Sequence, residues 1–191
     1  MQNLIITVLG KKGTGKTFLI QNRILKQIKK PVFILDSLDE YFNGIIFKDT
    51  NTLILYLKSQ KPNVSGVYIL RPESDRDVDL FFNLVFCIGN CSLIVEETSL
   101  YCNPYKIDEN FKKILNYGRH RQINLIAVAR RASEIHRDIT AQSDFIVSFR
   151  QTESRDISVL LTVDENATEL TSLNQYKYKI LGDFDKKVLD I

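Results

Sequence analysis

The chain has 191 residues, which suits one α/β domain (1–191) with little room for a second. Its hydrophobic fraction of 44% and charged fraction of 26% are ordinary for a globular protein, and no apolar run approaches the ~18 residues of a membrane span. A net charge of +3 does not by itself imply nucleic-acid binding, and three cysteines without C-x-x-C spacing beside two histidines argue against a disulfide framework or a zinc site.

The sequence enters its first element at once. Leu4-Ile5-Ile6-Thr7-Val8-Leu9 is β-branched and nearly all apolar, as a strand buried on both faces should be. With no signal peptide ahead of it and cysteines that read as reduced packing residues, the expected location is cytoplasmic. Gly10-Lys11-Lys12-Gly13-Thr14-Gly15-Lys16-Thr17 then fits G-x-x-x-x-G-K-[ST], the P-loop. Glycines let the turn aim backbone amides inward, where a side chain would collide with phosphate oxygens. Those amides form an anion cradle. Lys16 is expected to reach the β- and γ-phosphates of ATP, and the Thr17 hydroxyl to ligate Mg²⁺. Gly10 to Phe18 are the candidate nucleotide-binding residues, and a helix over 18–29 carries Leu19, Ile20, Ile24 and Ile28.

A second buried strand, Pro31 to Asp36, ends on an acid, followed by an irregular aromatic-bearing stretch, 37–49. A short helix spans 50–59, with Thr50 or Asn51 as its cap, and 66–70 is a third strand. Glu73, Asp75, Asp77 and Asp79 open an apolar helix over 78–88, where carboxylates suit the positive end of the dipole; Gly89-Asn90 closes it. The strand Cys91 to Val95 runs into Glu96-Glu97. After a P-loop, such a pair reads as one carboxylate in the Mg²⁺ shell (Glu96) and one that orients or deprotonates an attacking water (Glu97). The usual first residue is Asp, and Glu96 reaches one methylene further.

A loop, 98–106, carries Tyr101 and Tyr105, for which packing within the loop or stacking on nucleic acid are both open. A helix from Asp108 buries Phe111, Ile114 and Leu115. A strand, 123–129, ends at Arg130-Arg131; a short helix covers 133–141; and the strand 144–149 ends at Arg150, with Arg155 in the next helix. Residues 176–191 read as a β-hairpin turning at 183–186. Arg119, Arg121, Arg130, Arg131 and Arg137, half of the chain's ten arginines, fall within nineteen residues that contain one acid, Glu134. Such a cluster suits nucleotide phosphates, a neighbouring subunit's nucleotide, nucleic acid, or simply solvent. His120 and His136 read as surface residues.

The order of these features resembles the FtsK–HerA superfamily of DNA-translocating P-loop ATPases. The resemblance rests on Leu4 to Thr17, Ser92 to Glu97 and, most discriminating, Gly118 to Leu160. A bare ATPase core of this length is most similar to the genome-packaging ATPases of membrane-containing, double-jelly-roll viruses. The resemblance implies a RecA/ASCE-like, mostly parallel sheet flanked by helices. It implies a Mg²⁺-dependent ATPase that moves double-stranded DNA as a homo-oligomeric, hexameric ring, in the host cytoplasm or on a virion, beside capsid-vertex or membrane proteins. It implies Glu97 as the catalytic carboxylate and Arg119 acting on the adjacent subunit's nucleotide. Arg150 and Arg155 then face a phosphate or a subunit boundary. The family usually has Thr-Gln-Arg-Pro where this chain has Ala129-Arg130-Arg131-Ala132, so the γ-phosphate sensor is displaced and Arg130 is the candidate replacement. Two other readings compete: a small-molecule P-loop kinase, and a nucleotide-dependent assembly switch.

Overall fold

The structure, a computed structural model, describes residues 3–60 and 64–182. Its centre is an eight-stranded sheet. The strands are β1 (Ile5–Leu9), β2 (Val32–Leu35), β3 (Ile45–Phe47), β4 (Val67–Leu70), β5 (Ser92–Val95), β8 (Asn124–Ala129), β9 (Phe145–Phe149) and β10 (Tyr178–Leu181). Between β5 and β8 lies a separate two-stranded hairpin, β6 (Cys102–Asn103) and β7 (Lys106–Ile107). The order across the main sheet is β10-β9-β1-β8-β5-β2-β4-β3, and every pairing is parallel except β10 against β9. The C-terminal strand is therefore an edge strand, and the expected second arm of its hairpin lies outside the described residues.

β1, β2, β5, β8 and β9 are buried throughout, which is why they read in the sequence as continuous apolar runs. The pleat divides each of them between two cores. Ile5 and Leu9 pack on one face with helices α2 (Thr50–Ser59), α3 (Asp75–Ile88), α4 (Glu109–Tyr117), α5 (Arg137–Gln142) and α6 (Ser154–Leu161). Ile6 and Val8 pack on the other with Leu19 and Ile20 of α1 (Lys16–Asn22) and with Tyr41. Phe81, Phe82 and Val85 of α3 are fully buried against the first face. Each such side chain contributes roughly 1.5–3 kcal/mol relative to exposure.

Several element boundaries differ from the sequence reading. The helix after the P-loop stops at Asn22 and continues as a 3₁₀ turn, Ile24–Lys26, because Arg23 leaves helical geometry (φ −118°, ψ −61°). Side-chain amides take carbonyls there: Asn22 Nδ2 donates to Phe18 O and Gln27 Nε2 to Arg23 O. The cap of α2 is Asp49, not Thr50 or Asn51; its carboxylate accepts from Thr52 N (2.8 Å) and Thr52 Oγ1 (2.8 Å). Helix α3 starts at Asp75, three residues earlier than the sequence suggests and one after the Ser74 cap, with Asp75 and Asp77 in its first turn. The stretch read as irregular contains β3, a three-residue edge strand with Ile45 and Ile46 exposed. The short helix over 133–141 is a 3₁₀ turn, Ala132–Glu134, followed by α5, and a further 3₁₀ segment, Glu165–Ser172, was not expected. Cys91 and Cys102 are buried and Cys87 is exposed; none is disulfide-bonded.

Candidate active site

The P-loop joins the C-terminal end of β1 to α1, so the cradle opens at the carboxyl edge of the parallel sheet, where α/β folds place ligands. Gly10 is fixed by space: a Cβ there would lie 2.5 Å from Thr14 Oγ1 and 2.9 Å from Phe149 Cβ. Gly15 is fixed by backbone, with φ 104°. Thr14 ties the loop by donating to Lys11 O (2.8 Å). Lys16 folds over the loop, its Nζ donating to Gly10 O (2.7 Å) and Lys11 O (3.3 Å). Burial lowers its pKa, partly offset by the nearby charges of Glu96, Glu40 and Glu97.

The topology sets what faces the loop. β8 lies between β1 and β5, so an additional strand separates the cradle strand from the strand that ends in acids. The C-terminal ends of β5 and β8 deliver Glu96, Glu97 and Arg130 to one cleft with Lys16 and Thr17, of about 570 Å³. Glu96 is buried and accepts a hydrogen bond from Tyr41 Oη (2.5 Å); burial, its main cause, raises its pKa to about 7 against the opposing effect of that bond. Glu97 has left-handed backbone (φ 49°, ψ 53°), an uncommon conformation that aims its carboxylate into the cleft. That carboxylate accepts from Arg130 Nε (2.9 Å) and Ser99 Oγ (3.1 Å).

Glu40, which the sequence reading passed over, completes the acidic wall. Its carboxylate accepts from the Thr17 hydroxyl. The turn that carries it is pinned by the buried Asp36, which accepts from Glu40 N (2.9 Å), Tyr41 N (3.1 Å) and Arg71 Nε (3.1 Å). Thr17, Glu40 and Glu96 present the hard oxygen donors that Mg²⁺ takes. Among the described residues no three His, Cys, Asp or Glu side chains gather as a metal cage. An ion here would therefore keep water and phosphate oxygens as its other ligands, which is the usual habit of Mg²⁺ in nucleotide sites, so the residues fit it.

The remaining candidates separate. Lys12, Gly13, Gly15 and Phe18 line the cleft, together with Tyr176 from the segment before β10. Lys11 turns aside to Thr152 Oγ1 (3.3 Å). Arg150, just past β9, is not among the residues that line the cleft; its Nε donates to Thr171 O (3.0 Å). Arg131 is held by the buried Asp156 (2.9 Å), and Arg121 caps the end of α3 through Phe86 O and Cys87 O. Arg155 sits by Pro104, Ser133 and Arg137, away from the cradle. Arg119 is at the opposite edge of the sheet, bonded to Asp144 (2.9 Å), and takes no part in its own chain's cleft. Tyr101 packs, through its hydroxyl to Ser37 and its ring on Phe82, whereas Tyr105 at the β6–β7 turn is 91% exposed.

Fold and cleft together define a P-loop NTPase with an additional strand between its cradle strand and its acidic strand. The chain is similar to the genome packaging NTPase B204 from Sulfolobus turreted icosahedral virus 2 in complex with AMP, at 20% identity and TM-score 0.76 over 94% of this chain and 92% of that chain. It is similar to B204, the DNA-packaging ATPase from Sulfolobus Turreted Icosahedral Virus, at 20% identity and TM-score 0.68 over 97% and 100%. It also covers 62% of the pCW3 conjugation coupling protein TcpA with ATPγS, at 13% identity and TM-score 0.63 over 97% of this chain. No protein-family model and no curated protein matches the sequence.

Proposed function

We propose that the protein is the Mg²⁺-dependent ATPase of a DNA-translocating motor that packages a viral genome. The observation that carries the catalytic part is the convergence of Lys16, Thr17, Glu97 and Arg130 on one cleft. The motor reading is supported by the likeness to the packaging NTPases, which extends over nearly the whole of both chains. Lys16 would leave the Gly10 and Lys11 carbonyls for the β- and γ-phosphates, and Thr17 with Glu40 and Glu96 would hold the metal. When bound, Mg²⁺ supplies neutralisation of charge on the transferring phosphoryl group. Glu97 takes the proton of the attacking water as its oxygen joins the γ-phosphorus; the bond to the β,γ-bridging oxygen breaks, releasing ADP and phosphate. Arg130 orients Glu97 and lies within the cleft to sense the γ-phosphate.

The working form is a homo-oligomeric ring, taken as a hexamer, on double-stranded DNA, in the host cytoplasm and at the virion vertex, with Arg119 serving the adjacent subunit's nucleotide. Arginines acting in trans contribute about 10³–10⁵ in rate in related chemistry. The test is ATPase activity against protein concentration, with and without duplex DNA, using Lys16→Ala as the blank. Turnover per subunit should rise with concentration and again with DNA. Equal turnover in dilute monomer overturns the ring, and a phosphorylated acceptor in place of free phosphate overturns the hydrolase.

A further inference from the structure

Beside the phosphate cradle is a second cavity of about 470 Å³, and the two share Gly15, Phe18 and Tyr176. Its floor is apolar: Leu19 and Phe149 are buried, and Tyr178 meets the Phe149 ring edge-on at 5.5 Å between centroids. Its two flanking rings are solvent-exposed, Phe18 at 73% and Tyr176 at 64%; Phe18 directly follows the P-loop in sequence, and both rings line the cradle's cleft with Gly15. The Tyr176 ring lies directly against the loop: a Cβ built on Gly15 would meet Phe149 Cε1 at 3.5 Å and Tyr176 Cδ1 at 3.6 Å, ordinary contact distances. Tyr176 also has left-handed backbone (φ 64°), which bulky residues rarely adopt, and a turn from Lys177 N to Asn174 O holds it there. The chain thus accepts strain to set an aromatic ring at the mouth of the phosphate site.

An exposed aromatic slot continuous with a triphosphate cradle matches the other half of a nucleotide. We propose that this slot is the nucleobase subsite, with the base against the Phe18 and Tyr176 rings, and that it reads stacking surface rather than the edge of the base. Among the described residues the one charged side chain on its lining is Arg23, a pure hydrogen-bond donor. A guanidinium matches the O6 and N7 acceptors of guanine at least as well as any edge of adenine, and stacking accepts every base. The substrate class is therefore nucleoside triphosphates with no discrimination between the purines, ATP and GTP being nearly equivalent and CTP, with its smaller stacking surface, no tighter than either. This rests on the nucleotide reading above but adds a distinct requirement, that the base contribute affinity through these two rings.

The experiment is competition against radiolabelled ATP in equilibrium dialysis by ATP, GTP, CTP and inorganic tripolyphosphate. The proteins are wild type, Tyr176→Asn (which keeps a residue tolerant of positive φ), Tyr176→Phe, Phe18→Ala and Lys16→Ala. In the wild type, ATP and GTP should bind within about tenfold of each other and about five- to a hundredfold more tightly than tripolyphosphate. Tyr176→Asn and Phe18→Ala should each remove about fivefold or more of that margin while leaving tripolyphosphate unchanged, and Tyr176→Phe should restore it. Tripolyphosphate binding as tightly as ATP, equal loss of both ligands in the two ring variants, or ATP preferred over GTP by more than about a hundredfold would each overturn the proposal. Those outcomes leave the P-loop reading intact. If instead Lys16→Ala binds every ligand as the wild type does, the cradle itself is misassigned and the base subsite falls with it.

Discussion

Substituting Arg130 isolates the least familiar contact of the site. Its Nε lies 2.9 Å from Glu97 Oε2, with the arginine side chain 49% exposed and the glutamate 11%. Two unit charges at that separation attract by about 1.4 kcal/mol in water and about 6 kcal/mol at an effective dielectric of about 20. Half-exposure of the guanidinium places the net value near that of a charge-assisted hydrogen bond, about 1–3 kcal/mol. If Arg130 acts by fixing the Glu97 carboxylate, that energy is lost in the transition state, a fall in kcat of about five- to a hundredfold in Arg130→Ala. Glu97→Gln removes the proton acceptor and should cost about 10²–10⁴-fold. Because both losses pass through one carboxylate, the double variant should be no slower than Glu97→Gln alone, within about threefold. The assay is single-turnover phosphate release at saturating ATP with assembled protein and DNA, with ATP affinity measured separately. Losses that multiply in the double variant would show that Arg130 works on phosphate independently. Faster turnover in Arg130→Ala would make the pair an inhibitory clamp; either result refutes the positioning argument.

Two further substitutions test the acidic wall. Burial raises the pKa of Glu96 from the ordinary 4.5 to about 7, so the folded protein holds its proton more tightly than the unfolded chain. The corresponding stability is fully present below about pH 4.5 and lost as pH rises through about 7; Glu96→Gln should therefore gain up to about 3 kcal/mol over wild type at pH 8 and little at pH 5, in denaturant unfolding without nucleotide. A gain equal at both pH values would refute burial as its cause. Glu40→Gln removes a charge beside Thr17 and Lys16; calorimetric titration should show weaker Mg²⁺·ATP binding, by about three- to tenfold, and tighter binding of ATP in EDTA. Parallel changes with and without the ion would exclude Glu40 from the metal shell.

What the sequence reveals and what it conceals divide along physical lines. The buried parallel strands are legible because both faces are apolar, and the P-loop and Glu96-Glu97 are legible because residues contiguous in sequence line one cleft. Glu40 is concealed because its position depends on the Asp36–Arg71 pair, thirty-five residues apart, that folds its turn toward Thr17. Tyr176 reaches the cleft only because β10 pairs with β9 in a register that sets Tyr178 opposite Phe149. Gln151 is a third case. Gln151, two residues past the end of β9, donates to the Arg130 carbonyl (3.2 Å), and its own Oε1 is buried without a hydrogen-bond partner. A glutamine thus holds the backbone of Arg130 from behind, and only the pairing of β9 with β1 beside β8 brings it there.

Arg119 lies outside its own chain's cleft. β8 runs from Asn124 to Ala129, with Arg119 before it and Arg130 just after it, so the two arginines sit at opposite edges of the sheet, about 20 Å apart at 3.3 Å per residue. An arginine side chain cannot span that distance within one subunit. Arg119 therefore either serves only Asp144, or serves a nucleotide that another subunit holds against this edge. Asp144 links the two possibilities, because it also accepts from the amide of Ile5 (2.7 Å), the first residue of the strand that ends in the P-loop. Drawing Arg119 toward a neighbour's phosphate would loosen its hold on Asp144 at the entry of β1. Under the proposed ring, a head-to-tail arrangement in which the carboxyl edge of one sheet meets the amino edge of the next would give every cleft such an arginine. In that arrangement the two ends of β1 experience different nucleotides, its own at Gly10–Thr17 and its neighbour's through Arg119 and Asp144, which is a physical route for one subunit's turnover to bias the next.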